Sequence, residues 1–253
     1  MFKPAPKTSW NKVAPWYNKI VGQDGHYYHE HVVLPGVIRL LALDKLSTLL
    51  DLGCGQGILA RSVRPVTSYL GLDNAPSLIA AAKKSNTQPA YIFRAQDVTK
   101  VDSAATPTFT HAAIVLALQN MAEPEIALQN AAAYLKPRGK IVIVLNHPCF
   151  RIPRQSGWGV DDKTKQQYRW INRYRSALKI PILMNPGQQN SAVTWSFHRS
   201  LHDYSRMLQE VGLQLTMIEE WTSDKASVGK AAKMENRARD EFPLFMTLVA
   251  IKQ

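Results

Sequence analysis

Cysteine is scarce in this sequence, with two in 253 residues, Cys54 and Cys149. Two thiols cannot make a disulfide framework, and Cys54 lies inside a glycine-rich turn that leaves a bridge no room. A reducing, cytoplasmic setting is the expectation. Long apolar runs are missing too: none approaches the roughly 18–20 residues that a membrane-spanning helix requires. The opening Met1-Phe2-Lys3-Pro4-Ala5-Pro6 lacks the apolar stretch and small-residue cleavage site of a secretory leader, so none is expected. No internal repeat or low-complexity tract is present. Secreted disulfide scaffolds, membrane spans and solenoids are thereby set aside.

Acidic residues are the other shortfall. Asp and Glu number 19 against 31 Lys and Arg, a formal charge of +12, and the sequence pI is about 9.7. Such a balance favours nucleic acid, anionic lipid or acidic small molecules as partners and is silent on fold. The excess is concentrated. Between Phe150 and Ile180 stand Arg151, Arg154, Lys163, Lys165, Arg169, Arg173, Arg175 and Lys179, against only Asp161 and Asp162. Composition leaves two readings of that stretch open, a solvated surface insertion or a binding surface. The remainder, 45% hydrophobic and 20% charged overall, suits one sizeable core and is too short for two full α/β domains.

From Thr48 to Ile143, short apolar runs alternate with helical stretches. The runs are Thr48–Leu52, Ser68–Leu72, Ala90–Phe93, Ala112–Leu116 and Lys140–Leu145. Near-continuous apolar strands are buried on both faces, as in a parallel sheet. Helices are expected at Ile58–Val63, Ala75–Ser85 and Glu123–Leu135, the last stopped by Lys136-Pro137-Arg138-Gly139. This alternation implies right-handed crossovers and a doubly wound α/β sheet. Trp10–Leu43 reads as helical with a break at Gly22-Gln23-Asp24-Gly25. Leu201–Val211 reads as a helix ended by Gly212, and Leu213–Trp221 and Leu244–Lys252 as strands joined by a polar stretch.

The strongest local signal is Leu50-Asp51-Leu52-Gly53-Cys54-Gly55-Gln56-Gly57, a strand entering a glycine turn ahead of a helix. Glycines let the backbone turn tightly and approach a ligand, and the helix start offers backbone N–H groups. Asp73 ends the next apolar run, where a carboxylate can accept hydrogen bonds from both hydroxyls of a ribose. A nicotinamide dinucleotide would call for G-x-G-x-x-G, but the spacing here is G-x-G-x-G and Ile58 holds the place of the third glycine. A carboxylate at Asp51 would repel a pyrophosphate. It could order the turn or face an ammonium, which fits a ligand carrying an amino group, a sulfonium and no phosphate. An NAD-dependent oxidoreductase is the disfavoured alternative of a different class.

Asp51 to Gly57 resembles the first motif of class I S-adenosylmethionine-dependent methyltransferases, and further stretches follow in that family's order. Leu70-Gly71-Leu72-Asp73-Asn74-Ala75 is similar to the ribose-binding second motif, and Arg94-Ala95-Gln96-Asp97-Val98 to the third. Leu116-Ala117-Leu118-Gln119-Asn120-Met121 is similar to the fourth strand's turn. Leu135-Lys136-Pro137-Arg138-Gly139-Lys140 is similar to the turn before strand five, looking closest to the ubiquinone and menaquinone C-methyltransferase subgroup. The resemblance implies a Rossmann-like, seven-stranded, mostly parallel sheet whose last two strands include an antiparallel one. It implies S-adenosyl-L-methionine as cofactor. Gly53, Cys54 and Gly55 would serve its methionyl part, Asp73 and Asn74 the ribose, Asp97 the adenine amino group and Gln96 the ring, with Asp51 counted among the cofactor residues for its place before the turn. Leu116 and Ala117 would form the floor. Four segments follow: an N-terminal helical lid over 1–45 with Tyr17, Tyr28 and His29 as cofactor contacts, a cofactor core over 46–146, a basic aromatic insertion over 147–198 capping the acceptor site, and 199–253 completing the sheet.

The acceptor side is thinner. Methyl transfer needs alignment and, for some acceptors, removal of a proton. His147, in Asn146-His147-Pro148-Cys149-Phe150 at the end of strand five, is a candidate general base, with a structural turn histidine as the alternative. Asn146, Arg169, Arg173, His198 and Arg199 are candidate acceptor contacts. The histidines of Gly25-His26-Tyr27-Tyr28-His29-Glu30-His31 would face apart on a helix and lack partner ligands, so no metal is expected. The aromatics Trp158, Tyr168, Trp170, Tyr174 and Trp195 could wall a small acceptor, bury the insertion's own core or stack on nucleobases. The preferred activity is methyl transfer to a small aromatic or anionic acceptor. An RNA methyltransferase acting on tRNA or rRNA is the rival within the class, and a cofactor-binding regulatory module without turnover a third reading.

Overall fold

Residue 10 and residues 26–63, 66–183 and 193–253 are described by the computed structural model. The apolar runs become strands β1 (Thr48–Leu52), β2 (Ser68–Asp73), β3 (Tyr91–Ala95), β4 (Phe109–Val115) and β5 (Leu135–Asn146). Between them lie helices α2 (Ile58–Ser62), α3 (Pro76–Ser85) and α4 (Pro124–Tyr134), after an N-terminal helix α1 (Leu34–Leu41) entered through a π-helical turn (His29–Val33). Two hairpins follow, β6 (Ser156–Asp161) with β7 (Gln166–Ile171) and β8 (Leu178–Leu183) with β9 (Val193–His198). The chain continues through α5 (Leu201–Glu210), β10 (Leu213–Trp221), α6 (Ala232–Glu241) and β11 (Phe245–Lys252).

Seven strands form one sheet in the order β10-β11-β5-β4-β1-β2-β3. The strands β1 to β5 run parallel, whereas β11 is antiparallel to both β5 and β10. The period of two along each strand divides the core. Leu50, Leu52, Leu70, Leu72, Ile141 and Ile143 face α4 and α5 on one side. Leu49, Tyr69, Val142 and Val144 face α1, α2 and α3 on the other. Burial of apolar area on both faces supplies the main stabilisation, about 25 cal/mol per Å² removed from water.

Reversal of β11 places its first residue, Phe245, beside Asn146 at the end of β5 and beside Trp221 at the end of β10. One edge of the sheet therefore gathers the ends of the parallel strands, the end of β10 and the start of β11. Ligands of open α/β sheets lie at this edge.

Two details differ from the sequence expectations. Strand β5 starts at Leu135 and carries the Lys136-Pro137-Arg138-Gly139 turn within it, with Arg138 at φ +62°. The polar stretch before the last strand contains α6, which has a single buried residue, Ala238, and so shows no apolar stripe to read. Helix α5 starts on a capping box: Ser200 Oγ accepts from Asp203 N–H, and the Asp203 carboxylate accepts from Ser200 N–H at 2.8 Å.

On the β6–β7 hairpin, Gly157 lies opposite Trp170 and Gly159 opposite Tyr168. A Cβ at either glycine would come within 2.6 Å and 2.4 Å of those rings, so the rings lie flat across the neighbouring strand. Both aromatic residues remain exposed.

Candidate functional site

The turn after β1 takes its shape from Gly53, Gly55 and Gly57, at φ +78°, +53° and +73°. A side chain at Gly53 would also place its Cβ 2.5 Å from Ala117 Cβ. The turn thus packs directly on the end of β4. There Leu116 is held at φ +53°, and its carbonyl accepts from Gln119 Nε2 at 2.9 Å and Asn120 Nδ2 at 3.1 Å. A left-handed non-glycine residue costs about 1–2 kcal/mol, and these two amides help to fix it.

The backbone donors of the turn are already engaged. Leu72 O accepts from Gly53 N–H at 2.7 Å and Cys54 N–H at 3.0 Å, and Cys54 O accepts from Gly57 N–H at 2.9 Å. Gly55 N–H donates to Asp73 Oδ2 at 3.0 Å, while Ala75 N–H donates to Asp73 Oδ1 at 2.9 Å. Burial raises the Asp73 carboxyl above its usual range, and those two donors oppose the shift. A carboxylate has about four acceptor sites, so Asp73 keeps capacity for further donors.

Asp51 is buried under the turn, where its Oδ2 accepts the Tyr69 hydroxyl hydrogen. Its pKa is pushed up to about 7 by burial, with Tyr69 opposing and the charge of Asp73 adding to the rise. The Cys54 side chain is buried among the apolar residues below the sheet, so only backbone of this residue faces the turn's rim. Beyond β3, Gln96 N–H donates to Asp73 O at 2.8 Å and Gln96 Nε2 to Asp102 Oδ2 at 2.7 Å. Asp97 Oδ1 accepts from Thr99 N–H at 3.1 Å and Thr99 Oγ1 at 2.6 Å. Asn74 is exposed beside Asp73.

At the same edge, beyond β5 and among the ends of β10 and β11, a cavity of about 500 Å³ opens. Arg151, Arg169 and Arg239 line it with Phe150, Trp158 and Phe242, and Glu235 is its one lining carboxylate. Arg151 donates to Asn146 Oδ1 at 2.9 Å and Leu244 O at 3.3 Å. Arg169 donates from Nε to Phe150 O at 2.7 Å and from Nη2 to Ser156 Oγ at 3.1 Å. Burial, then the charge on Arg169, disfavours the charged form of Arg151. Tyr28 also lines this cavity, edge-on to Phe245 at 6.0 Å and hydrogen-bonded to Ser223 at 3.0 Å.

A methyltransferase-domain family model matches residues 26–218, most of the chain and the whole of this edge up to β10. The chain belongs to the methyltransferase family. An uncharacterised methyltransferase of Schizosaccharomyces pombe is 23% identical over 190 residues, covering 72% of this chain. This chain spans 65% of that relative's length. An S-adenosylmethionine dependent methyltransferase from Mesorhizobium loti shares the fold with a TM-score of 0.68 at 21% identity, over 88% of this chain and 99% of that one. One from Clostridium acetobutylicum does so at 0.59 and 16%, over 96% and 98%.

Within this member of the family the residues singled out from sequence fall into separate groups. Gly53, Gly55, Asp73, Asn74, Leu116 and Ala117 come together around the glycine turn. Gln96 and Asp97 lie next to it, with the Gln96 amide and one Asp97 oxygen turned to protein partners. Tyr28 lines the arginine cavity. His29 opens the π-helical turn, its pKa lowered to about 4 by burial and then by His26. Tyr17 lies outside the described residues.

His147 is buried, with Nε2 2.6 Å from Glu220 Oε1 and Nδ1 accepting from Cys149 N–H at 3.2 Å. Burial lowers its pKa, and Glu220 opposes that shift. Both ring nitrogens are thus occupied, the arrangement of a turn anchor. Arg169 lines the cavity, whereas Asn146 stands behind it and holds the cavity's Arg151. Arg199 instead donates to Ala122 O at 2.7 Å, and His198 Nε2 sits 2.8 Å from Tyr174 O. Arg173 is exposed in the turn between the hairpins at φ +55°. Sequence reasoning missed Tyr69, Arg239 and Phe242, and did not single out Arg151 within the basic segment. Phe242 meets Phe150 and Trp158 from more than eighty residues away, and Arg239 reaches the cavity from a helix that shows no apolar stripe, so no local spacing announces them. Among the described residues there is no cluster of His, Cys, Asp or Glu that could hold a metal, and no helix long and apolar enough to cross a membrane.

Proposed function

We propose that this chain is an S-adenosylmethionine-dependent methyltransferase acting on a small, aromatic or anionic acceptor. The observation that carries the reading is the turn whose amides are engaged internally and whose neighbour is Asp73. A pyrophosphate site presents free amides from its glycine turn as well as from the helix start. Here Gly53, Cys54, Gly55 and Gly57 donate to protein acceptors, and two carboxylates stand close by. That donor set suits a cationic, phosphate-free nucleoside and opposes a dinucleotide.

S-adenosylmethionine held at the glycine turn would supply an electrophilic methyl on a sulfonium for an acceptor lone pair, with S-adenosylhomocysteine as the leaving group. Asp73 holds the ribose hydroxyls with its remaining lone pairs. Asp51 supports the turn from below through Tyr69. Leu116 and Ala117 set the floor, and the close contact of Gly53 with Ala117 excludes water from that side. His147 anchors the exit of β5 through Glu220 and leaves deprotonation to solvent. Calorimetry tests the reading: S-adenosylmethionine and S-adenosylhomocysteine bind at micromolar concentrations and NAD does not. Uptake of NAD without either sulfur nucleoside would overturn it.

A second reading, methyl transfer to RNA, is favoured by the outer face of the β6–β7 hairpin. Tyr168 and Trp170 present exposed rings there, on the segment that holds half of the net positive charge. Such rings can stack on bases while the lysines and arginines follow phosphates. Titration with tRNA at rising salt tests it, since phosphate contacts give affinity a steep salt dependence. The small-acceptor reading predicts weak binding that Trp170→Ala leaves unchanged.

A further inference from the structure

The cavity beyond β5 combines two features that one ligand chemistry explains together. The first is a surplus of positive charge in a confined space. Three guanidiniums from three chain segments, Arg151 after β5, Arg169 on β7 and Arg239 on α6, meet a single lining carboxylate, Glu235. Each guanidinium carries five N–H donors. Among the described residues, two hydrogen bonds hold Arg151, two hold Arg169 and one, to Ser227 Oγ at 2.8 Å, holds Arg239. The Glu235 carboxylate reaches only 3.9 Å from Arg239. Arg239 Nε is buried with no hydrogen-bond partner, a state that costs about 1–3 kcal/mol for a buried polar group. The donors so far engaged fix the three groups in place and leave most of their capacity unused.

The second feature is a wall of edge-packed rings. Phe242 meets Trp158 at 5.3 Å and 79°, and Phe150 at 5.6 Å and 75°. The Arg169 guanidinium lies over Trp158 at 4.9 Å. Packing of the hairpin against α6 does not account for the arginines. Arg237 already ties that helix to the hairpin by donating to Gln167 O at 3.1 Å on the exposed side.

We propose that this cavity selects the acceptor as a flat aryl anion. Its ring lies against Phe150, Trp158 and Phe242, and its carboxylate or phosphate is held in a forked pair by Arg169 and Arg239 with Arg151 behind. Planar guanidiniums recognise both anions through paired parallel hydrogen bonds. The inference rests on the methyltransferase reading for the word acceptor, and its test is independent of turnover.

The test is titration of the S-adenosylhomocysteine-saturated protein with 2-naphthoate, 2-naphthyl phosphate, neutral 2-naphthylmethanol and non-aromatic cyclohexanecarboxylate, read by tryptophan fluorescence and calorimetry. One of the two aryl anions binds at least about tenfold more tightly than the alcohol and the cyclohexane acid, a margin of about 1.4 kcal/mol. The tighter of the two identifies the anionic group. Arg239→Gln and Arg169→Gln each remove that margin and leave the alcohol's affinity unchanged. Lys233→Gln, which deletes the same charge from an exposed site on α6, leaves every affinity unchanged, and circular dichroism confirms that each variant is folded. Equal binding of the alcohol and the anions, or equal losses from Lys233→Gln and Arg239→Gln, would overturn the proposal. Cofactor calorimetry in the same series reports separately on the methyltransferase reading, so the two fail in distinguishable ways.

Discussion

The glycine turn after β1 and the arginine cavity beyond β5 share one sheet edge but are built in opposite ways. The turn draws on residues 51–73, close in sequence, and recognises through backbone shape and two carboxylates. The cavity is assembled from Tyr28, residues 150–169 and residues 223–244, and its walls are cationic and aromatic. Under the proposed function, acid at one end and base at the other would match a cationic cofactor and an anionic acceptor laid side by side. The separation also limits unfavourable charge: the carboxylates of the turn lie away from the cavity's ligand, and the guanidiniums away from the sulfonium.

That contrast can be broken by substitutions confined to one end. Asp73→Ala has the largest expected effect, a loss of about 100-fold in S-adenosylmethionine affinity, because hydrogen bonds to a charged acceptor contribute about 1.5–3 kcal/mol each. Naphthoate binding stays constant in the same variant. Equal losses at both ends would merge the two sites and remove the comparison. Gly53→Ala comes next. Its φ of +78° and the contact with Ala117 predict about 2 kcal/mol of lost stability, read as a shift of the denaturant midpoint.

Asp51 gives a pH signature that belongs to the turn alone. Its pKa of about 7 in the folded chain lies above the value of about 4 in an unfolded one. Between those values the folded form keeps a proton that the unfolded form has released. Stability therefore falls as pH rises from about 4 to about 7, and this contribution levels off above. Asp51→Asn removes that limb in a series of urea melts, and an unaltered limb would assign it to another group. His147→Gln has the smallest expected effect. A general base contributes at least about 100-fold to rate, whereas loss of an anchoring histidine leaves kcat within a few-fold and shifts only stability.

The same contrast explains what was legible in the sequence. Strands β1 to β5, the turn and Asp73 could be read because apolar runs, glycine spacing and one strand–helix–strand step are local patterns. The opposing direction of β11 was expected from family resemblance and is present. Helix α6 was read as a polar stretch, since Ala238 is its single buried residue and an exposed helix shows no stripe. The basic segment was visible as composition, but which arginines converge was not. Arg169 meets Arg151 across a hairpin and Arg239 across most of the C-terminal region. Meanwhile Arg173, equally basic in sequence, lies in an exposed turn. His147 looked available because it follows a strand end. Its neighbour Glu220 is 73 residues away, a pairing that no spacing rule reveals.

Strand β11 sits between β5 and β10 although it is made after both. Its place in the middle of that half of the sheet brings the residues just ahead of it, Phe242 and Arg239, to the wall of the cavity. The last stretch of chain therefore completes a wall begun roughly ninety residues earlier by Phe150 and Arg151.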